Sequence, residues 1–105
     1  MRLYNIKDRI PYIVGLEEWN LSNGDKFVGR DFFGDVLVST VFLGMDHGFG
    51  GTPLLFETMV FGGEFDGWCM RWSTWDEAES GHLDACRMVN RRVIERDNKL
   101  GELGI

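Results

Sequence analysis

The alternation of apolar and polar positions divides the chain into a strand-rich first part and a helical last third. Residues 35–43, DVLVSTVFL, are β-branched and apolar on both faces, and residues 54–61, LLFETMVF, have the same character. Residues 68–73 form a third run, and the glycine-rich residues 62–67 predict a hairpin loop between the second and third runs. Strands that are apolar on both sides are typical of the interior of a sheet that is covered on both faces.

The N-terminal third also predicts strands, although its pattern is weaker. Residues 12–16 are short and apolar, and residues 19–22 lead into Asn23-Gly24, which is followed by residues 26–33. Asn-Gly favours a two-residue hairpin turn because both positions tolerate a positive φ. We therefore expect residues 19–22 and 26–33 to be paired strands.

The last third predicts one long helix over residues 74–98, followed by a tail over residues 99–105. Thr74 and Glu77 have capping-box spacing, in which each side chain accepts a hydrogen bond from the backbone amide of the other residue. Gly81 lies inside the helix, where glycine costs about 1 kcal/mol relative to alanine, so we expect another group to approach closely there. One stripe with helical spacing is predicted to face the core: Trp75, Ala78, His82, Ala85, Cys86, Val89 and Val93.

These elements predict an α+β fold, an antiparallel sheet of four to five strands packed by one long C-terminal helix. We expect residues 1–105 to form a single domain, with N-terminal strands in residues 1–34 and core strands in residues 35–73. One helix covers only one face of a sheet. The second apolar face therefore predicts a partner, and a homodimer is the simplest way to supply it.

The charge of the chain limits the classes of partner. The net charge is −6, and residues 1–86 carry fourteen Asp and Glu against six Lys and Arg, a net of −8. Such a body repels a phosphate backbone, so we predict no direct binding of nucleic acid. An acidic surface suits basic protein partners, and it equally suits solubility alone.

The distribution of apolar residues and cysteines predicts the compartment. No stretch approaches the roughly 20 apolar residues that span a bilayer, and the first residues lack the apolar run of a secretory signal. The two cysteines, Cys69 and Cys86, favour a reducing environment. We therefore predict a cytoplasmic protein with no membrane partner.

The loop over residues 44–53, GMDHGFGGTP, is the first candidate for ligand binding. It joins two predicted core strands and contains four glycines, whose backbone can approach a ligand closely or present consecutive amides to an anion. It lacks the Gly-Lys-Ser/Thr of a phosphate-binding P-loop. The alternative is a long flexible hairpin loop without a ligand. The candidate contact residues are Asp46, His47, Gly48, Phe49, Gly50, Gly51 and Thr52.

Glu57 is the second candidate, because it lies in the middle of an apolar strand. An isolated buried carboxylate is very unfavourable, and Arg71 on the neighbouring strand can pair with it inside the sheet. The alternative is a polar pocket floor, where Glu57, Arg71 and Trp72 contact a ligand. Trp68, Trp72 and Trp75 otherwise build the core where the helix packs back on the sheet, or leave an exposed subset that stacks on a base.

We predict no catalytic residue, no cofactor and no metal. The sequence has no nucleophile elbow, and its pattern places no second acidic residue next to Glu57. A metal site can be drawn from His47, Cys69, His82 and Cys86, with the last two at i, i+4 on one helix face. No close Cys-x2-Cys or His-x3-His pair anchors that set, and its two helix residues lie on the stripe predicted to face the core.

Two segments carry a resemblance to a known group of proteins. Residues 36–63, VLVSTVFLGMDHGFGGTPLLFETMVFGG, and residues 71–82, RWSTWDEAESGH, resemble short uncharacterised proteins encoded in bacteriophage and prophage genomes. The resemblance implies a small accessory phage protein that acts in the bacterial cytoplasm. Proteins of that kind often antagonise host defence, but the resemblance carries over no catalytic or binding residue.

Three hypotheses of function follow from these patterns. The first is a binding protein that captures a small anionic, nucleotide-like defence signal as a homo-oligomer, through the loop over residues 44–53, Glu57, Arg71 and aromatic side chains. The second is an acidic inhibitor of a host defence nuclease, of the anti-CRISPR or anti-restriction type. The third is a small hydrolase that acts on a nucleotide or phosphoester.

Overall fold

The computed structural model describes residues 2–22, 26–48 and 50–102, and their backbone forms two antiparallel sheets and a long C-terminal helix. This is the α+β architecture that the sequence predicts. The elements in chain order are β1 (Leu3–Lys7), β2 (Ile10–Val14), α1 (Leu16–Ser22), β3 (Phe27–Phe33), β4 (Val36–Phe42), β5 (Phe56–Phe61), β6 (Cys69–Trp72) and α2 (Trp75–Glu102).

The larger sheet is a four-stranded meander in the order β3-β4-β5-β6. The two central strands are β4 and β5, whose sequences are apolar on both faces, as the pattern predicts. Their register places Val38 beside Val60 and Thr40 beside Thr58, and all four side chains are fully buried beneath α2. The loop after β5 closes the predicted hairpin with β6, since Gly62 and Gly63 both have positive φ.

The helix α2 packs its predicted stripe on one face of this sheet and contacts all four strands. Its capping box is confirmed, because the Glu77 amide donates to Thr74 Oγ1 at 3.1 Å and Glu77 Oε1 accepts from the Thr74 amide at 3.1 Å. Ala85 and Val89 lie in the buried core between helix and sheet. None of the described helices combines the length and the apolar character that crossing a bilayer requires.

The helix continues to Glu102, four residues past the predicted end at residue 98. Residues 94–101 are exposed, so tertiary packing does not hold this last part. It has no proline, and Arg92 and Glu95 form an ion pair one turn apart at 3.4 Å. The predicted tail over residues 99–105 is therefore helical as far as the structure describes it.

The N-terminal prediction is wrong for residues 19–22, which belong to the helix α1 and not to a strand. The Trp19 amide donates to the Gly15 carbonyl at 3.0 Å, and Glu17 and Glu18 favour the first helical turn. A short apolar run does not distinguish a strand from one buried helical turn, which explains the error. The predicted Asn23-Gly24 turn lies outside the described residues.

The N-terminal hairpin is formed instead by β1 and β2, and β1 is absent from the sequence-based prediction. Its turn is Asp8-Arg9, and both residues have positive φ, at 51° and 68°. Such a turn matches the right-handed twist of the strands, although Asn and Gly are its usual residues. Because Asp-Arg is an uncommon pair there, the sequence gives no clear turn signal.

The strand β1 attaches this hairpin to the end of the larger sheet. The Tyr4 amide donates to the Gly44 carbonyl at 2.8 Å, and Leu3 forms an isolated bridge with Met45. The Tyr4 ring is buried in one cluster with Phe56 and Ala78. The hairpin therefore adds side chains to the core at the end where the glycine-rich loop begins.

The expected close approach at Gly81 is made by the Trp72 indole. A Cβ at Gly81 would overlap the Trp72 ring, whose Nε1 donates to Thr58 Oγ1 at 3.0 Å. The ring is therefore held in place and cannot swing away without losing a hydrogen bond. Gly81 allows the helix to lie close to the sheet at this point.

Replacing Gly81 by alanine is expected to destabilise the protein, although alanine is the better helix former. Overpacking against a tethered ring costs about 1–3 kcal/mol, which exceeds or offsets the roughly 1 kcal/mol gain in helix propensity. Urea denaturation followed by circular dichroism measures the change. Gly101→Ala is the matched control, because a Cβ at Gly101 would have no neighbouring atom within 4 Å, and it should be neutral or stabilising. A clearly stabilised Gly81→Ala variant would contradict this packing.

Candidate functional site

One face of the larger sheet points away from α2, and we call it the open face. Three rows of register partners form it. Phe32 is 63% exposed, Phe61 47% and Phe27 42%, so large apolar side chains meet solvent there. The rows are Phe27, Val41, Glu57 and Arg71; Arg30, Ser39, Met59 and Cys69; and Phe32, Leu37 and Phe61.

Arg30 lies between two phenylalanine rings on the edge strand of the open face. Its guanidinium carbon is 5.4 Å from the centre of the Phe27 ring and 6.0 Å from that of Phe32. The register shift between Phe27 and Gly29 is essential, because residues three apart on a regular strand point to opposite faces. We call Phe27, Arg30 and Phe32 the stacking platform. Within the described ranges, Arg30 has no carboxylate at ion-pair distance.

Glu57 and Arg71 form the predicted pair within the sheet. They are direct register partners, and Arg71 Nε donates to Glu57 Oε2 at 3.0 Å. The Glu57 side chain is 16% exposed, so the contact compensates a largely buried carboxylate. Trp72 is separated from this pair, because its indole turns to the opposite face and packs under α2. These three predicted ligand residues therefore do not line one pocket.

The glycine-rich loop is organised by Asp46. Its Oδ1 accepts from the Gly48 amide at 2.7 Å and from the Leu54 amide at 3.0 Å. These two backbone hydrogen bonds, in that order, are the main reason why the pKa of Asp46 is lowered. The His47 amide donates to the Leu54 carbonyl at 3.1 Å. An internal carboxylate thus takes the Gly48 amide, which the anion hypothesis assigns to a ligand, together with the Leu54 amide just after the loop.

The other candidate residues of the loop include an exposed group at its tip. Gly50, Gly51 and Thr52 are exposed at the tip, and Gly50 has a φ of 84°. Phe49 lies outside the described residues. The loop leaves β4 at the same end of the sheet where Glu57 pairs with Val41. It is therefore near the Glu57 and Arg71 row along the chain, but a role in ligand contact stays a prediction.

A chain of buried polar side chains crosses the interface between helix and sheet. Trp72 Nε1 donates to Thr58 Oγ1, and the Thr58 and Thr40 hydroxyls are hydrogen-bonded at 2.6 Å. Thr40 Oγ1 lies 2.7 Å from His82 Nδ1, and His82 Nε2 donates to Asp31 Oδ2 at 2.7 Å. His82 is only 4% exposed, so these contacts satisfy polar groups that water does not reach.

This polar chain ends in a small cluster at the edge of the sheet. Cys86 Sγ lies 3.8 Å from Asp31 Oδ2, as a weak donor to the carboxylate. Burial, and then the charge and hydrogen bond of Asp31, raise the pKa of the Cys86 thiol to about 11. A Cβ at Gly29 would lie 2.6 Å from His82 Nε2, so glycine is required beside the imidazole.

The sequence identified His82 and Cys86 as stripe residues but missed Asp31 as their partner. Asp31 is separated from His82 by 51 positions, and nothing adjacent to it signals the contact. The available signal is indirect: Thr40 and Thr58 are polar residues at inward positions of apolar strands, and each needs a buried partner. His47 and Cys69, which completed the set drawn from the sequence, are not in this cluster.

Asp46→Asn is expected to lower the melting temperature at neutral pH, because an amide oxygen is a weaker acceptor than a carboxylate for the two loop amides. The lowered pKa means that the Asp46 carboxylate stabilises the fold fully at a pH above 3.8, the ordinary pKa of an aspartate. That contribution is lost as the pH falls through the lower folded-state pKa.

Thermal unfolding of the two proteins, followed from neutral pH down to about pH 3, measures this effect. The difference in melting temperature should shrink on acidification. Asp84→Asn, which removes an exposed carboxylate from α2, is the control and should change stability little at any pH. A difference that stays constant down to the lowest pH would contradict the role of the Asp46 charge.

No family model, curated protein or solved structure matches this chain. The resemblance of residues 36–82 to phage-encoded proteins therefore stays a prediction. The open face with its stacking platform, the loop organised by Asp46 and the cluster around His82 are the sites that the geometry offers.

Proposed function

We propose that the protein is a binding protein that captures a small, planar, anionic ligand of the nucleotide type on the open face of its larger sheet. The observation that carries this proposal is the stacking platform. Arg30 is held between Phe27 and Phe32 on an edge strand and has no carboxylate partner among the described residues. A cation without a counter-ion, flanked by exposed rings, is suited to an anion that also has a flat face.

The chemistry of these three side chains matches that of a nucleotide. A nucleobase stacks on aromatic rings and on a guanidinium plane, and each stacked base contributes about 1–3 kcal/mol. The guanidinium fork also donates two hydrogen bonds to a phosphate in fixed geometry. The side chains are on strands rather than on a loop, so their positions are set before the ligand arrives.

The acidic character of the protein supports a small ligand over a polymer. A long phosphate backbone would meet the whole acidic surface, whereas a small anion responds mainly to charges within a screening length of about 8 Å. On the open face, Glu57 neutralises Arg71, so Arg30 remains as the uncompensated charge of the three. The three rows of the open face therefore carry one net positive charge on a protein whose net charge is −6.

A second copy of the chain completes the proposed site. Phe32, Leu37 and Phe61 form one apolar row, and covering such a row removes it from water. Sheets pack face to face readily, and a two-fold axis would bring two stacking platforms to one interface. A ligand held between two copies would be shielded from solvent, which a flat surface on one copy does not achieve.

The biological setting in this proposal is the one that the resemblance implies: an accessory phage protein in the bacterial cytoplasm that withdraws a nucleotide-like defence signal. An acidic inhibitor of a host nuclease is the second candidate. Salt dependence distinguishes this candidate from ligand capture, because a protein partner held by the acidic surface is released as ionic strength rises. Nucleotide hydrolysis, the third candidate, is distinguished from binding by an assay for turnover of the nucleotide with an added divalent cation.

Arg30→Ala is expected to weaken ligand binding at least about tenfold, because it removes both the phosphate contact and the middle of the stack. Isothermal titration with cyclic mononucleotides and cyclic dinucleotides of adenine and guanine measures the affinity. Arg87→Ala is the matched control, since Arg87 is an exposed arginine of α2 that pairs with Asp84. No heat with any of these probes, or equal loss in both variants, would overturn the proposal.

Phe32→Ser is expected to convert the dimer to a monomer, because the side chain is the most exposed ring of the apolar row. Size-exclusion chromatography with light scattering, over a range of protein concentrations, reports the oligomeric state. Ile94→Ser removes an equally apolar side chain that is 50% exposed on α2, and this control should stay dimeric. A native protein that is monomeric at the highest concentration would contradict the dimer and leave the titration as the test of binding.

A further inference from the structure

Asp31, His82 and Cys86 bring three different metal-binding atoms to one point between β3 and α2. A carboxylate oxygen, an imidazole nitrogen and a thiol sulfur all lie within 4.8 Å of one another. We propose that these three residues bind a divalent transition-metal ion of the zinc type, which clamps the edge strand β3 to the helix. This site lies on the face of the sheet opposite the stacking platform and is independent of ligand capture there.

The distances suit a tetrahedral ion. Zinc bonds of about 2.0–2.3 Å at tetrahedral angles separate neighbouring donor atoms by roughly 3.3–3.7 Å. The oxygen of Asp31 is 2.7 Å from the His82 nitrogen and 3.8 Å from the Cys86 sulfur. An ion that enters the cluster therefore has to separate oxygen and nitrogen by about half an ångström. Asp31 is on an edge strand and can make this movement.

The imidazole is oriented as a metal ligand requires. A ligand histidine usually holds its second ring nitrogen in a hydrogen bond, which sets the tautomer and the ring plane. In this protein Thr40 Oγ1 lies 2.7 Å from His82 Nδ1, and Thr40 is itself held by Thr58. Nε2 is thereby directed to the cluster. With an ion bound, the ring carries its proton on Nδ1 and the Cys86 thiol proton passes to solvent.

The cluster is accessible to solvent at Asp31. His82 is buried, whereas the Asp31 side chain is 55% exposed and faces the solvent at the sheet edge. Gly29 packs tightly on the His82 ring, where a Cβ would lie 2.6 Å from Nε2, so the imidazole is held in place. An ion can enter past the exposed Asp31 carboxylate, and three protein ligands leave a fourth position for water.

Cobalt substitution tests the proposal, because a thiolate bound to Co²⁺ gives a charge-transfer absorption band that oxygen and nitrogen ligands do not give. The full-length protein is freed of metal with a chelator and titrated with CoCl₂. We expect one Co²⁺ per chain and a charge-transfer band that Cys86→Ser abolishes. Cys69→Ser is the matched control, because Cys69 lies on the other face of the sheet, and it should keep the band. No band in the native protein, or a band that survives Cys86→Ser, overturns the proposal.

Asp31→Asn separates a metal ligand from a structural hydrogen bond. The amide oxygen still accepts from His82 Nε2, although more weakly than a carboxylate, so the metal-free variant should keep its circular dichroism spectrum and show only a small fall in melting temperature. Its Zn²⁺ affinity, measured by competition with a chromophoric chelator, should fall at least about tenfold. Zn²⁺ should also raise the melting temperature of the native protein and not of this variant. Equal Zn²⁺ affinity in the two proteins would remove Asp31 from the site and overturn the proposed clamp.

Discussion

The position of α2 depends on the buried polar chain that runs from Trp72 through Thr58, Thr40 and His82 to Asp31. Apolar contact alone is not directional, and a helix packed on an apolar sheet face can slide or rotate with little loss of buried area. A buried hydroxyl or imidazole without its partner loses about 1–3 kcal/mol, so the two hydrogen bonds of His82, the member of this chain that lies on α2, penalise a displaced helix. The polar chain thus determines which side chains of the helix meet which strands.

The same constraint determines which face of the sheet the helix leaves uncovered. Because α2 is committed to the face with the two threonines, the alternate residues of β3, β4, β5 and β6 have no helix to cover them. Three phenylalanines and two arginines therefore lie on an uncovered sheet surface, and in the proposed function their placement on strands lowers the ordering cost of binding. The sheet thus has one face covered by the helix and one face that carries the proposed binding site.

Much of the fold was predictable because its signals are local. The capping box at Thr74, the helical stripe, the three apolar runs and the Glu57–Arg71 pair all depend on residues that are near neighbours along the chain or across one hairpin. The predictions were wrong where the same short run of residues is compatible with more than one local structure. Residues 19–22 read as a strand or as a helical turn, and the Asp8-Arg9 turn uses residues that are uncommon at positive φ.

The sequence by itself determined the class of fold, the start and inner face of the long helix, the central strands and the need of Glu57 among them for a partner. The structure decided that Arg71 is that partner. Only the tertiary structure decided that Phe27 and Arg30 share a face, because that depends on a register shift between two strands. It also decided that Asp31 meets His82 and Cys86, across more than fifty positions. Periodicity reports which side of an element is buried, whereas the partner on the other side is set by strand order and helix placement.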